Sequence, residues 1–493
     1  MRWWPAWLLV GAALLALGTR FLDRELVSYV LDEPQLQDAA VRDARSGHWA
    51  SISVLRGTRG VRYGPAPLWF YTAIHRVAGP RPEAGILGAG FFLTLCPVLL
   101  CWGLARRSEA RPLVLGTALA VVAASPFAFL WSRQGWDNSL LAGIAALAVV
   151  ALAISGPVRP VRAAALGVLL GLALDTHLMA IPFTVAVLVV LGTERRALRD
   201  RLLSVGAAIA AAALVLLPYA LALAHEPRAS AAASAAGPGE RVVLVLEALL
   251  APFSQLTGLG MDYFIDPEWQ DFLHRSSPAA SLGVLGPVLA GLAAAAAVLG
   301  MLLGRRAESP GVRRVARLGL WTWILHAAFL GLLALPREPH YQQPVLWIPV
   351  AGWALAVAGL WPRRPAVAAG LCALAALTGL WGVTLQRSWM GWIRGRGGTR
   401  GIHYGLTLGA QRRAIAEACS APSRAVALQL QTVTFPHSLL SLARTEPACQ
   451  DHRLELCAGR CPRLPPGWAV ATLRYAGAGA QLAPVHPEVL SDR

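Results

Sequence analysis

The sequence contains no lysine, so all 44 of its basic residues are arginine. Charge of either sign is scarce, at 14% of 493 residues, where an average soluble protein carries about 25%. That scarcity excludes a soluble enzyme of two or three ordinary domains. The chain shows no clear internal repeat, and its polar groups do not break the apolar runs at mid-span, as transporter helices commonly do. The acidic residues Asp262, Asp266, Glu268 and Asp271 do not follow calcium-loop spacing and read as a solvated patch. No His, Cys, Asp or Glu spacing demands a metal, although Asp32, Glu33 and a histidine leave a divalent ion open. The missing lysine reflects genome composition rather than chemistry.

Apolar residue types make up 56% of the chain. Runs of about 20 apolar residues, each able to cross roughly 30 Å of hydrocarbon, recur from end to end. The reading is an all-α polytopic membrane protein of about 11 transmembrane helices. The spans fall near 3–22, 84–105, 112–131, 138–155, 163–175, 177–192, 202–224, 280–304, 318–336, 341–361 and 365–385. Residues 1–385 form this module, with a first outer loop at 23–83 and a second at 225–279; residues 386–493 form a small outer domain of mixed structure. A cleaved signal peptide competes with the first span, because Ala16-Leu17-Gly18 is a passable cleavage site. Gln35 to Trp49 can form an amphipathic helix lying on the membrane surface.

The net charge of +17 does not point to nucleic acid. With the N-terminus inside, sixteen arginines fall in short inner loops and only Arg133 and Arg337 in short outer ones. That is the positive-inside pattern. It puts the long loops and the cysteine-bearing tail on one outer face of the cytoplasmic (inner) membrane. Of seven cysteines, Cys96, Cys101 and Cys372 lie in apolar segments and read as inert. Cys419, Cys449, Cys457 and Cys461 lie in the tail, where an oxidising compartment permits two disulfides in any of three pairings.

The polar clusters collect at the same outer boundary: Asp32-Glu33, the stretch from Tyr63 to Tyr71, Arg133 to Asp137, Asp175-Thr176-His177, and Arg337 to Tyr341. Ionisable groups at membrane depth are costly and commonly line a cavity. Each also has a plain reading. Asp32 and Glu33 can cap a helix beginning at Pro34, Asp137 can cap the fourth span, His340 and Tyr341 can anchor at the interface, and Trp131 and Trp136 can be belt aromatics.

In order and composition these clusters resemble the GT-C superfamily of polyprenyl-phosphate-sugar-dependent transferases, in particular the protein O-mannosyltransferases and the lipid A aminoarabinose transferases. The resemblance covers roughly residues 1–360. Asp32-Glu33 is similar to the family's acidic motif and Tyr63-Gly64-Pro65-Ala66-Pro67-Leu68-Trp69 to its Pro-Pro-Leu-Tyr segment. Arg133 through Asp137 resembles its Arg-x-x-x-Asp motif, and Arg337, Tyr341 and Pro344 its late signature. Thr176-His177 departs from the Thr-Lys of many bacterial relatives. The resemblance implies a glycosyltransferase that takes a sugar from a polyprenyl-phosphate donor to a hydroxyl on a lipid, glycan or protein acceptor. Asp32 would be the general base of an inverting displacement, with Glu33 and Asp137 beside it. Arg133, His177, Arg337, His340, Tyr341 and Tyr63 would hold the phosphate and substrate. A transporter or lipid flippase is the competing reading, and a non-catalytic scaffold the third.

Overall fold

The computed structural model describes residues 4–57, 61–154, 156–226, 237–335, 338–401 and 403–420, and beyond those the segments 425–431, 436–444, 446–449, 451–458, 468–476, 481–482 and 488–489. Arg337 and Cys461, and most of the low-complexity stretch near 229–239, lie outside the described residues.

The helices in chain order are α1 (Trp4–Gly18), α2 (Glu33–Ser46), α3 (Ala66–Ala78), α4 (Pro82–Ala105), α5 (Arg111–Ala124), α6 (Pro126–Trp131), α7 (Ser139–Ala153), α8 (Pro160–Thr176), α9 (Ile181–Gly192) and α10 (Leu198–Ala224). There follow α11 (Pro238–Thr257), the short α12 (Asp262–Ile265), α13 (Trp269–Arg275) and α14 (Ser277–Ala280), then α15 (Leu282–Arg305), α16 (Pro310–Leu332), α17 (Trp347–Leu360) and α18 (Pro365–Arg394). The C-terminal region adds α19 (Leu408–Cys419) and α20 (Pro436–Ala443). A helix stands at each apolar segment read from the sequence. Among the described residues, seven helical stretches are long and apolar enough to cross a membrane, and three shorter apolar helices accompany them. The chain is a multi-pass membrane protein.

Small residues let these helices touch backbone to backbone. A β-carbon on Gly300 of α15 would collide with the Gly352 carbonyl of α17, so this crossing needs glycine. Alanines and branched aliphatics from α5, α7, α15, α16 and α17 fill the main core.

Three departures from the sequence reading have local causes. The expected second outer loop contains α11, which buries Ala248, Ala251, Phe253 and Leu256 and packs on α15 and α16. Its charges Glu240, Arg241 and Glu247 hide it from a hydropathy scan. Helix α18 runs past residue 385 without a break, because Trp389, Met390, Trp392 and Ile393 bury against the 262–280 segment. The acidic patch in that segment is not merely solvated. Arg396 binds both Glu268 (3.3 Å) and Asp271 (2.5 Å), and Trp392 Nε1 donates to Asp271.

The C-terminal region is α/β. Strand β1 (Ala425–Gln431) pairs in parallel with β2 (Arg453–Ala458) and β3 (Trp468–Ala476), and β4 (Gln481–Leu482) and β5 (Glu488–Val489) both join β3 antiparallel. A Cys419–Cys449 disulfide closes this region onto itself, while Cys96, Cys101 and Cys372 are buried free thiols.

Candidate active site

Asp32 sits at the N-cap of α2, yet its side chain makes no capping hydrogen bond. The capping reading therefore does not account for it. The residue before it, Leu31, is held at φ 58°, a left-handed conformation that costs a non-glycine residue roughly 1–2 kcal/mol. Strain of this kind persists only where the surroundings over-determine it. Here the preceding backbone is gripped from the far end of the chain. Ser28 Oγ donates to the Tyr404 carbonyl (2.8 Å), Gln411 Nε2 donates to the Tyr29 carbonyl (2.9 Å), and the Leu408 N–H donates to Val27 (2.9 Å). Tyr29 Oη and Ser441 Oγ are hydrogen-bonded at 2.8 Å, and the Tyr404 hydroxyl donates to the Leu26 carbonyl.

Around Asp32 the polar clusters converge. The Trp136 indole lies beside its carboxyl, and burial holds that carboxyl above the usual aspartate range, with Trp136 opposing. Glu33 is buried, and desolvation raises its carboxyl well above the ordinary glutamate range; nearby amides of Gly135 and Val30 oppose this, and the charge on Asp32 adds to it. Asp137 is pushed up to about 7, by burial first and then by the charge of Asp32. Its Oδ1 accepts from the Asn138 N–H at 2.8 Å and its Oδ2 has no partner. Burial also raises the Tyr63 phenol, with further contributions from Asp137, Tyr341 and Asp32.

A ring cluster closes the other side. Tyr63 and His177 lie 5.0 Å apart by centroid, His177 and Tyr341 5.8 Å, His340 and Tyr341 4.4 Å, and Trp136 and His340 5.2 Å. The Met179 N–H donates to His177 Nδ1 at 3.1 Å. Nδ1 is therefore the acceptor, and the proton of a neutral ring sits on Nε2, which is buried without a partner. His177 thus offers a neutral donor where a lysine would offer a charge.

Asp175 explains how the Tyr63 segment reaches this cluster. Helix α3 has no side-chain cap of its own, and Asp175 Oδ2 supplies one by accepting from the Ala66 N–H at 2.8 Å. A cavity of about 260 Å³ opens here, lined by Arg62, Tyr63, Asp175, His177, Tyr219 and Tyr341 on its polar side and by leucines and Phe329 on its apolar side. Sequence reasoning missed Arg62 and Tyr219, whose Oη donates to the Arg62 carbonyl at 2.7 Å; no local pattern links residues so far apart.

Of the residues expected at the site, Asp32, Glu33, Asp137, Tyr63, His177, His340 and Tyr341 come together. Arg133 does not join them. Its Nη1 donates to the carbonyls of Arg20 (2.8 Å) and Leu22 (2.6 Å) and its Nη2 to that of Asp23 (2.6 Å), so its fork is spent on the end of the first span. It positions the Gln134–Asp137 loop, which Gln37 and Tyr71 also hold through the carbonyls of Gly135 (3.3 Å) and Trp136 (3.1 Å). Trp131 is core rather than belt, packed with Phe127 at 5.5 Å. Among the described residues no group of three or more His, Cys, Asp or Glu side chains is arranged to hold a metal.

Residues 62–219 match the family model described as dolichyl-phosphate-mannose-protein mannosyltransferase. The crystal structure of ArnT from Cupriavidus metallidurans bound to undecaprenyl phosphate shares the fold, with a TM-score of 0.54, 14% identity, and coverage of 91% of this chain and 85% of that one. The chain thus shares the fold of ArnT and, over residues 62–219, matches that mannosyltransferase family model. The apo form of the same ArnT gives a TM-score of 0.46 at 16% identity, covering 91% and 84% of the two chains. No curated protein sequence matches. The converged cluster lies where the acidic pair after the first span meets the loop before α7 and the segment opening at Pro339.

Proposed function

We infer that this chain is a membrane glycosyltransferase of the GT-C kind, one that moves a sugar from a polyprenyl-phosphate donor to a hydroxyl acceptor, with Asp32 as general base. The observation that carries the reading is Asp32 itself: a carboxyl at a helix start that caps nothing, fixed by a strained Leu31 and facing Trp136 and Asp137. The cavity beside it suits the donor. Its polar wall, with Tyr63, Tyr341 and Arg62 (itself paired with Glu226 at 3.4 Å), turns the His177 Nε2–H toward a phosphate, and its apolar wall suits a prenyl chain. ArnT, with undecaprenyl phosphate bound, supports that class of lipid.

In the displacement, the acceptor oxygen bonds to the anomeric carbon as the carbon–oxygen bond to phosphate breaks. The acceptor proton goes to Asp32 and the lipid phosphate leaves as an anion. Attack opposite the leaving group inverts the anomeric centre. Donors aimed at the departing oxygens replace a general acid. The outer face of the cytoplasmic membrane follows from the arginine distribution. Sugar transfer is measured in membranes supplied with radiolabelled polyprenyl-phosphate sugar. Asp32→Asn should lower the rate by roughly 10²–10⁴-fold while the protein still inserts. An unchanged rate would refute the assignment.

A further inference from the structure

The arginine-rich end of the bundle carries a second built cavity, of about 800 Å³, between the α7–α8, α9–α10 and α15–α16 connections. Seven arginines and one carboxylate, Glu194, line it. Four of the arginines build its walls. Arg314, near the start of α16, is buried and donates to the carbonyls of Leu152 (3.0 Å), Ile154 (2.5 Å) and Gly156 (3.0 Å) while pairing with Glu194, which ties the α7–α8 and α9–α10 connections to α16. Arg196 donates to the Val158 carbonyl (2.7 Å) and Arg313 to those of Ala307 and Glu308 (2.7 Å each), and Arg317 binds Thr193. The other three, Arg195, Arg305 and Arg306, have no side-chain hydrogen bond or ion pair among the described residues.

Loops of random arginines would splay apart under mutual repulsion. Here a buried, fully engaged arginine and its carboxylate clamp the loops so that three unpaired guanidiniums share one concavity. The N-termini of α10 and α16 open beside it and add the positive ends of two helix dipoles. Such a site wants phosphate oxygens, which guanidinium forks bind in pairs. The helices leaving its rim expose Leu198, Leu202 and Leu302, so acyl chains would find an apolar wall. We propose that this cavity holds the phosphate headgroup of an anionic phospholipid. It is separate from the Asp32 cluster and shares no residue with it.

The test uses the full chain in detergent, with native mass spectrometry of retained lipid and titration by dioleoylphosphatidylglycerol, dioleoylphosphatidylcholine or inorganic pyrophosphate. The wild type should retain phosphatidylglycerol in preference to phosphatidylcholine, and pyrophosphate should compete with it. Arg305→Gln/Arg306→Gln should weaken phosphatidylglycerol binding about twenty-five-fold, at about fivefold per arginine. The pair Arg363→Gln/Arg364→Gln, which does not line the cavity, should have little effect. Arg195→Gln alone gives a second reading should the double variant elute abnormally. Equal loss in both double variants would mean generic surface charge and overturn the proposal. Equal retention of the two lipids, or binding of pyrophosphate without retention of phosphatidylglycerol, would overturn it as well.

Discussion

An alanine at position 64 would bring its β-carbon to 2.5 Å from Asp175 Cγ and still closer to its Oδ1 and main-chain oxygen. The carboxyl can swing away, but the carbonyl belongs to the last turn of α8 and cannot. Swinging the carboxyl breaks the 2.8 Å bond that caps α3, a loss of about 1 kcal/mol. It also strands a buried carboxyl, at about 1–3 kcal/mol. Gly64→Ala should therefore cost about 2–4 kcal/mol. Because Tyr63 and His177 flank the clash, a shift of about 1 Å there should lower transfer by roughly 10²-fold. Thermal unfolding in detergent and sugar transfer in membranes read the two effects. Gly283→Ala is the internal control: nothing lies within 4 Å of its added β-carbon in α15, so it should be neutral, or stabilising by up to about 1 kcal/mol. A Gly64→Ala protein that unfolds with the wild type and transfers sugar at full rate would refute the packing argument.

Three other outcomes are expected. Transfer should fall at low pH as the Asp32 base takes up its proton, with the acid limb above the ordinary aspartate range because burial raises that group; Trp136→Phe, by removing the indole that opposes this rise, should move the limb to higher pH in a kcat/KM profile. Cys419→Ser opens a link across 30 residues, worth about 3.5 kcal/mol by loop entropy; since α19 and α20 hold Val27 and Tyr29, transfer should drop along with C-terminal protease resistance. Arg133→Gln should destabilise by about 2–4 kcal/mol through its three carbonyl bonds, seen as a lower unfolding temperature, with donor KM largely unchanged in the surviving protein.

The membrane helices were legible because apolar length alone demands them, and Asp32 stood out because it follows the first of them. Helix α11 was not, since Glu240, Arg241 and Glu247 lower its hydropathy while its other face meets α16. The partners of Arg133 were unreadable for a different reason. Its motif spacing to Asp137 suggests a shared task, but the carbonyls it binds lie more than a hundred residues earlier, and backbone oxygens carry no sequence signature. His177 shows the reverse. Its charge state was ambiguous on paper, and one N–H from Met179 fixes the tautomer.

The grip on residues 26–29 joins positions 376 and 412 apart in the chain. In order of synthesis, Asp32 therefore precedes by several hundred residues the segments that hold the backbone leading into it. A chain cut before Tyr404 would keep the apolar helices and lose these contacts to residues 26–29. On the proposed reading, this ties the placement of the base to the C-terminal region rather than to the helical bundle alone.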